Sequence, residues 1–318
     1  MPNQTDLPLV TADQRFNYSL KYAVKRAIAM PLHMLDLLAR LYAQAISKIR
    51  PNFLYLWTDL QSQNTSRLMR DVVHSARGKE YPFIFHTPNY LCEIRAKTFS
   101  TKEPETLAWI DEFGGDGAFF DIGANVGLYS AYFGATKSGN IYSFEPSVFN
   151  LALLVKNLNA NRLEKRVKII SCPLTEKNQF ADFTLSSTQE GGALSAFGVG
   201  YGYDGKPLNR ASSYQTLGFS LDFLFQIGVI DECPEMIKID VDGIEHLILR
   251  GAVKTISNPV CKTILVEVLH DFGAQKLEVF EILTCCGFDL IDNASSQSPD
   301  GGSTTGSINQ IWVKRPVA

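Results

Sequence analysis

One short stretch of the chain combines an acid with glycines in a pattern that suits a ligand. AFFDIGANVG ends an apolar run at Asp121 and then places Gly123 and Gly127 four residues apart. Glycines let a ligand approach the backbone, and the acid before them attracts a positive group and repels phosphate. Asn125 stands where a dinucleotide loop has its middle glycine, and the lysine of a P-loop is missing. The stretch therefore favours a ligand with an ammonium or sulfonium centre.

A second carboxylate ends the next apolar run, YSFEP. It belongs to Glu145, 18 residues after Gly127. In nucleotide-binding units an acid about 20 residues beyond the glycine turn holds the ribose hydroxyls. A cationic amino-acid group at one loop and a ribose at the next strand indicate S-adenosylmethionine, which we predict as the cofactor.

Two later stretches, KIDVDGIEH and VEVLHDF, carry acids and bases suited to proton transfer. In one interpretation His270 or Asp242 accepts a hydroxyl proton, because a histidine titrates near neutral pH. In the other, Asp240 or Asp242 binds a hard cation such as Mg²⁺ together with Glu267 or His270. We predict the general base, with His270 first and Asp242 next, and no metal. The candidate catalytic residues are His270, Asp242, Asp240 and Glu267.

The elements that must position these residues alternate along the chain. From Ala118 onward, strand-like apolar runs alternate with helix-like runs, and this predicts a mostly parallel sheet covered by helices on both faces. Ligands of such sheets bind outside the carboxyl ends of the strands. Upstream, we predict a helix over Lys102–Phe113 with Pro104 near its start. Short strands are predicted over Tyr81–Ser100, and Thr58–Lys79 is helix-compatible.

The composition is that of an ordinary globular protein. The 318 residues are 45% hydrophobic and 20% charged, with a net charge of -3, so no basic excess points to a nucleic-acid partner. The six cysteines lack metal-ligand spacing and are expected to be reduced thiols. The N-terminus is polar rather than signal-like, and no apolar stretch is long enough to span a membrane. We predict a cytoplasmic protein.

The segment Tyr18–Trp57 has a different character. It mixes apolar residues with six basic residues and a single acid, Asp36. This pattern suits a pair of basic helices, broken near Pro31, that forms a helical hairpin and packs on its own domain or on a second subunit, as in a homodimer. The alternative is an amphipathic helix pair that lies on the inner face of an anionic membrane.

Four motifs resemble those of the FkbM-type class I methyltransferases: FFDIGANVGLYS, YSFEPS, IKIDVDGIEHLILRGA and ILVEV. The resemblance covers about Pro82 to the C-terminus. It implies an α/β, Rossmann-like, doubly wound sheet of seven mostly parallel strands over residues 81–318, after an N-terminal helical extension over residues 1–80. It also implies methyl transfer from S-adenosylmethionine to a hydroxyl of a sugar, glycan or glycolipid, for example in surface polysaccharide biosynthesis.

The resemblance implies roles for individual residues. The glycine stretch lines the methionine part, Glu145 holds the ribose, and Asp240 lies near the reacting centre. Where many such enzymes offer an acid or amide to adenine, this chain has Ser171 and Cys172, so backbone groups are expected there. The predicted cofactor-binding residues are Asp121, Gly123, Ala124, Asn125, Gly127, Glu145, Pro146, Ser171 and Asp240.

A long loop over Ser187–Gly205 is rich in glycine, serine and tyrosine. Loops of this length in compact domains are usually lids or binding loops, and Tyr201 and Tyr203 suit stacking on a sugar. Two other functions remain open: a nicotinamide-dependent oxidoreductase, which the missing GxGxxG disfavours, and a non-catalytic binding module. Titration with S-adenosylmethionine and with NAD would distinguish the oxidoreductase from a methyltransferase. A turnover assay would distinguish the binding module from an enzyme.

Overall fold

The computed structural model describes residues 12–208, 210–269, 273–295 and 306–316. The chain divides into two compact units, Met1–Ser66 and Arg67–Ala318. The described part of the first unit contains two helices, α1 (Ala12–Ser47) and α2 (Phe53–Ser66).

The predicted break near Pro31 is wrong, because α1 continues through this residue. A proline removes one backbone donor from a helix, but the alanine, leucine and methionine residues around it are strong helix formers. The chain turns instead between the two helices, where the Tyr42 and Phe53 rings meet edge to face at 5.9 Å. Among the described residues, no helix is both long enough and apolar enough to cross a membrane.

The second unit begins with a hairpin of β1 (Met69–Ala76) and β2 (Lys79–His86). Arg77 and Gly78 connect the strands with φ of 50° and 74°, the left-handed geometry of a tight two-residue hairpin turn. The helix-compatible interpretation of Thr58–Lys79 is therefore wrong beyond Ser66. Because β1 pairs with β2, the second unit starts upstream of the predicted boundary at residue 80.

A short helix, α3 (Tyr90–Lys97), follows the hairpin where a strand was predicted. Asn89 caps it, since its Oδ1 accepts a hydrogen bond of 2.9 Å from the backbone N–H of Cys92. Asparagine is among the strongest N-cap residues, and the sequence interpretation overlooked this signal. The strand prediction over Tyr81–Ser100 thus holds only for its first third.

The remaining elements alternate much as the sequence predicts. The further helices are α4 (Pro104–Phe113), α5 (Leu128–Thr136), α6 (Val148–Ala160), α7 (Leu221–Gln226), α8 (Glu245–Arg250), α9 (Val253–Ser257) and α10 (Gly273–Cys285). The further strands are β3 (Ala118–Ile122), β4 (Ile141–Phe144), β5 (Val167–Ile170), β6 (Gln179–Leu185), β7 (Ala196–Phe197), β8 (Ser212–Gly218), β9 (Pro234–Ile239), β10 (Thr263–Leu269), β11 (Phe288–Ser295) and β12 (Ser307–Lys314).

Seven strands form the central sheet in the order β11-β12-β10-β9-β3-β4-β5. Strand β12 runs antiparallel to the other six strands, which are parallel to one another. Adjacent residues of β3 enter different cores: Phe119 packs in one buried cluster and Phe120 in the other. Both faces of the sheet are therefore covered, and the predicted doubly wound, mostly parallel seven-stranded sheet is confirmed.

The parallel strands β3, β4, β9 and β10 all end at one edge of this sheet. The predicted acids at or after these strand ends are consequently neighbours in space. A separate three-stranded sheet, β7-β6-β8, is formed by the segment between β5 and β9.

Candidate active site

Two cavities lie at the carboxyl ends of β3, β4 and β9. The first measures about 70 Å³ and is lined by the ends of β3 and β4 and by the residues after β5. The second measures about 290 Å³ and extends from the same β3 loop to α3 and the end of β10. Both cavities share the residues Gly123, Asn125, Ala193, Asp240 and Asp242. Most of the site predicted from the sequence thus comes together in space.

The glycines after β3 serve backbone packing. Gly123 and Gly127 have φ of 85° and 84°, a conformation that favours glycine. A Cβ on Gly123 would overlap the carbonyl oxygen of Asp240, and one on Gly127 would meet the side chain of Leu154. Gly123 lines both cavities and Gly127 lines neither. Because Gly123 has no side chain, the loop can pack closely on the end of β9. The sequence alone could not show whether this glycine is needed for packing or for the approach of a ligand.

Asp121 lies beneath this loop. It is fully buried and accepts a hydrogen bond of 2.6 Å from Ser130 Oγ, which lies 2.7 Å from Ser143 Oγ. Burial raises the pKa of Asp121, and its Oδ1 has no hydrogen-bond partner among the described residues. Asp121 lines neither cavity, so any effect of its charge on a ligand passes through the loop above it.

Glu145 is a buried residue of the first cavity, with Pro146 next to it. Its carboxylate accepts hydrogen bonds of 2.8 Å from the backbone N–H groups of Asn125 and Ser147. Burial raises the pKa of Glu145 to about 8 in spite of these donors. The Oδ1 atom of Asn125 is buried without a hydrogen-bond partner in the described chain, which leaves an acceptor for a ligand at the junction of the cavities.

The residues after β5 that line the first cavity do not include the predicted Ser171. Cys172, Pro173 and Leu174 line it, whereas Ser171 is exposed and lines neither cavity. This wall also contains Phe183 and Phe197, so it is largely apolar. An apolar wall of this kind suits an aromatic base.

A buried charge cluster forms the floor of the second cavity. Lys238 is 1% exposed, and its Nζ donates a hydrogen bond of 2.6 Å to Asp240 Oδ2. Burial alone would raise the pKa of Asp240, but the Lys238 ammonium and a hydrogen bond from Glu267 outweigh it and hold the pKa below its usual range. Burial raises the pKa of Glu267 well above its usual value, and the neighbouring Asp240 carboxylate raises it further. Glu267 is thus the protonated donor and Asp240 the ionised acceptor.

Glu103 extends this cluster toward α4. It is 4% exposed and accepts hydrogen bonds from Lys102 Nζ at 2.6 Å and from Tyr129 Oη at 2.7 Å. The Lys238 ammonium lies 4.8 Å from the centre of the Tyr129 ring, within cation–π range. These residues line the second cavity. Lys102, Glu103 and Tyr129 were not predicted, because no spacing pattern in the sequence links the start of α4 to the strand ends.

Asp242 holds a segment of the long loop. Its Oδ2 accepts a hydrogen bond of 2.6 Å from the backbone N–H of Leu194. Burial, and then the nearby Asp240 carboxylate, raise the pKa of Asp242 to about 6. Asp242 has a φ of 64°, which is unusual for a residue other than glycine. A constrained backbone therefore directs this carboxylate toward the loop between the cavities.

We call residues Glu190–Ser195 the strap, because side chains from several elements hold its backbone between the cavities. Asn125 and Asn150 donate to the carbonyl of Gly192 at 2.8 and 3.1 Å, and Arg95 Nε donates to the carbonyl of Gly191 at 2.8 Å. The long loop predicted from the sequence thus contributes directly to the site. Of its two tyrosines, Tyr203 lines the second cavity and Tyr201 lines neither.

The remaining predictions concern the two histidines of the later motifs and a possible metal site. His270 lies outside the described residues; it follows Leu269, which lines the second cavity. His246 is buried in α8, where burial lowers its pKa, and lines neither cavity. In the described part of the chain, no group of three or more histidine, cysteine, aspartate and glutamate side chains could hold a metal ion.

A family model decides the classification. The methyltransferase FkbM domain matches residues 121–290, which is more than half of the chain. The chain belongs to the FkbM methyltransferase family. Members of this class use S-adenosylmethionine, and the resemblance predicted from the four motifs is confirmed. No curated protein sequence matches the chain.

Two solved structures with similar folds share little sequence identity with the chain. Methyltransferase FkbM from Methylobacillus flagellatus is 16% identical with a TM-score of 0.40, covering 63% of this chain and 44% of its own. Fibrillarin from Aeropyrum pernix, solved with bound S-adenosylmethionine, is 13% identical with a TM-score of 0.43, covering 79% of this chain and 86% of its own. This FkbM-family chain spans less than half the length of the Methylobacillus protein, and the family assignment rests on the domain match.

The geometry of Gly123 predicts a loss of stability on substitution. Gly123→Ala should lower the free energy of unfolding by several kcal/mol, because a strained φ adds about 1 kcal/mol to the overlap with the Asp240 carbonyl. Gly228→Ala is the matched control, since Gly228 has a φ of 71° and nothing within 4 Å of its Cβ position. Urea unfolding measures both variants. Equal losses in the two would contradict this role for Gly123.

Proposed function

We propose that this FkbM-family protein transfers a methyl group from S-adenosylmethionine to a hydroxyl of a sugar or glycan acceptor. The observation that carries the proposal is the second cavity, which joins the β3 loop to the carboxyl groups of Asp240, Asp242 and Glu267. When bound, the cofactor supplies a methyl group on a sulfonium with a good neutral leaving group. The protein must then align the hydroxyl and accept its proton.

The walls of the two cavities suit the chemistry of the two halves of the cofactor. The apolar wall after β5 suits the base, and the Glu145 carboxyl group suits the ribose hydroxyls. The orphaned acceptor on Asn125 and the ionised Asp240 fit positively charged groups in the second. Since the strap lies at the junction, its backbone would cover the cofactor between these halves. Gly123 lines both cavities, Ala124 the second and Pro146 the first, and these positions support their proposed contacts with the cofactor.

Several groups around the second cavity compete for the acceptor proton. Asp240 is a poor base, because its pKa is held low, and Glu267 is already protonated. The pKa of Asp242, about 6, suits a general base, although the strap occupies one of its oxygens. We therefore retain His270 as the first candidate and Asp242 as the second.

Binding of the ribose by Glu145 makes the cofactor assignment testable. Glu145→Ala should weaken S-adenosylmethionine binding by about 1–3 kcal/mol, the cost of leaving buried ribose hydroxyls without their hydrogen-bond partner. The exposed Glu164→Ala is the control for a general effect of charge. Isothermal calorimetry measures both affinities. An unchanged affinity in the Glu145 variant would remove this residue from the site, and absence of binding to the wild type would refute the proposed function.

The identity of the base predicts different results for two substitutions. His270→Ala should reduce turnover by about 10²–10⁴-fold and leave the cofactor affinity nearly unchanged. Asp242→Asn, which retains an acceptor for the Leu194 amide, should reduce it much less. The assay follows labelled methyl transfer to glycan acceptors, with mass spectrometry of the surface polysaccharide from a deletion strain to identify the acceptor.

Two further outcomes would change the assignment of the base. A larger loss in the Asp242 variant would transfer the role to Asp242, whose carboxylate ionises as the pH rises through about 6, so that turnover would rise over the same range. Loss of activity in EDTA, restored by Mg²⁺, would replace the base with a metal bound by Asp240 or Asp242 together with Glu267 or His270.

We also propose that α1 and α2 dock on an anionic membrane surface at the cytoplasmic face. Large apolar side chains are exposed along both helices, among them Ile28 (72%), Leu35 (63%) and Tyr55 (67%). Six basic residues against one acid over Tyr18–Trp57 give this segment the charge complementary to anionic lipid. A second copy of the chain is the competing occupant of this surface.

The membrane proposal predicts salt-sensitive sedimentation with phosphatidylserine-containing vesicles. Lys48→Gln combined with Arg50→Gln should weaken binding roughly 30-fold, at about 1 kcal/mol for each basic residue. The matched control neutralises two exposed lysines of the second unit, Lys177 and Lys254. If the wild type fails to sediment with vesicles and its mass in solution is that of a dimer, the helices pack on a second copy instead.

A further inference from the structure

The second cavity carries both signs of charge. Its carboxyl groups belong to Glu103, Asp240, Asp242 and Glu267, and they gather where the strands end. Its cations belong to Lys238, Lys102 and Arg95. A ligand that carries both charges can satisfy such a wall only if some of these groups are not already paired with each other.

Two of the three cations are already paired. Lys238 donates to Asp240 and Lys102 donates to Glu103, each at 2.6 Å. Arg95 is different, because within the described ranges it forms no ion pair. Its Nε is used by the carbonyl of Gly191 in the strap, while its two terminal nitrogens have no acceptor among the described residues.

The position of Arg95 is fixed before any ligand arrives. The side chain belongs to α3, whose first turn is capped by Asn89, and its Nε contact with the strap fixes the plane of the guanidinium. A guanidinium held in this way presents its terminal N–H groups as a rigid pair, the geometry that a carboxylate accepts. Little conformational entropy is then lost when an anion binds.

The methionine half of S-adenosylmethionine carries a carboxylate, an ammonium and a sulfonium within a few bonds. Its positive groups match the carboxylates at the strand ends, and its negative group requires a cation on another wall of the same cavity. We propose that Arg95, which precedes the segment matched by the family model, binds the α-carboxylate of the cofactor. This inference rests on the proposed function, since it places the methionine half in the second cavity.

The test compares S-adenosylmethionine with its decarboxylated analogue, S-adenosyl-3-(methylthio)propylamine, in calorimetric titrations of the full chain. The wild type should bind the natural cofactor at least about tenfold more tightly, the scale of a charge-assisted pair. Arg95→Gln should weaken the binding of the natural cofactor by about 10–100-fold. The same substitution should change the affinity for the analogue by no more than about threefold. Once the Arg95 charge is removed, the remaining carboxylates outnumber the cations and no longer favour the natural cofactor over the more cationic analogue, so the preference should collapse in this variant.

Lys97→Gln is the matched control, because Lys97 is exposed on the same helix and lines neither cavity. It should leave both affinities unchanged. Circular dichroism and urea unfolding establish that both variants are folded. If Arg95→Gln does not fold, the wild-type preference between the two ligands still decides, since equal binding of both would overturn the proposal.

The other outcomes are also decisive. Equal weakening of both ligands by Arg95→Gln would reduce Arg95 to a support for the strap and overturn the proposal. An unchanged preference with a raised KM for the acceptor would assign Arg95 to an anionic group of the acceptor instead, and overturn it as well. Binding of neither ligand to the wild type would refute the proposed function itself, which distinguishes that failure from an error about Arg95.

Discussion

Burial of the Lys238 ammonium is the constraint on which the candidate active site depends. An isolated charge in this position would be strongly unfavourable, and the carboxylates of Asp240, Glu103 and Asp121 offset it. These groups come from the end of β9, the start of α4 and the end of β3, so the charge connects three elements. Through Asp240 it also determines that the shared proton resides on Glu267. Protonation states in the cavity are thus a consequence of packing.

The strap depends on the same strand ends. Asp242 follows Asp240 by two residues, and its carboxylate holds the strap at Leu194, while the amides of Asn125 and Asn150 hold it at Gly192. All of these bonds go to backbone groups of the strap, as does the bond from Arg95 of α3 to Gly191. The course of the strap is therefore determined by residues on the sheet edge, on α6 and on α3, and these residues keep the two cavities separate.

The sequence predicted the fold better than the direction of individual side chains. Strand ends, helix starts and the acids between them follow from periodicity and glycine placement, and the sheet confirms them. The sequence could not reveal that Asp121 turns under the loop, because its contact with Ser130 depends on how α5 packs on β3. Arg95 and Glu103 were missed for a related reason. They reach the cavity only through packing of segments that precede the sheet and carry no motif.

The two cavities differ in which part of the chain builds them. Every residue of the first lies inside the matched segment 121–290, whereas one wall of the second is contributed by residues 95–103. A compound confined to the first cavity would therefore contact only residues of the matched segment. A compound that extends through the second cavity toward α3 would also contact residues outside that segment, such as Arg95 and Thr98. Chemical groups directed at α3 would thus probe a part of the site that the domain match does not include.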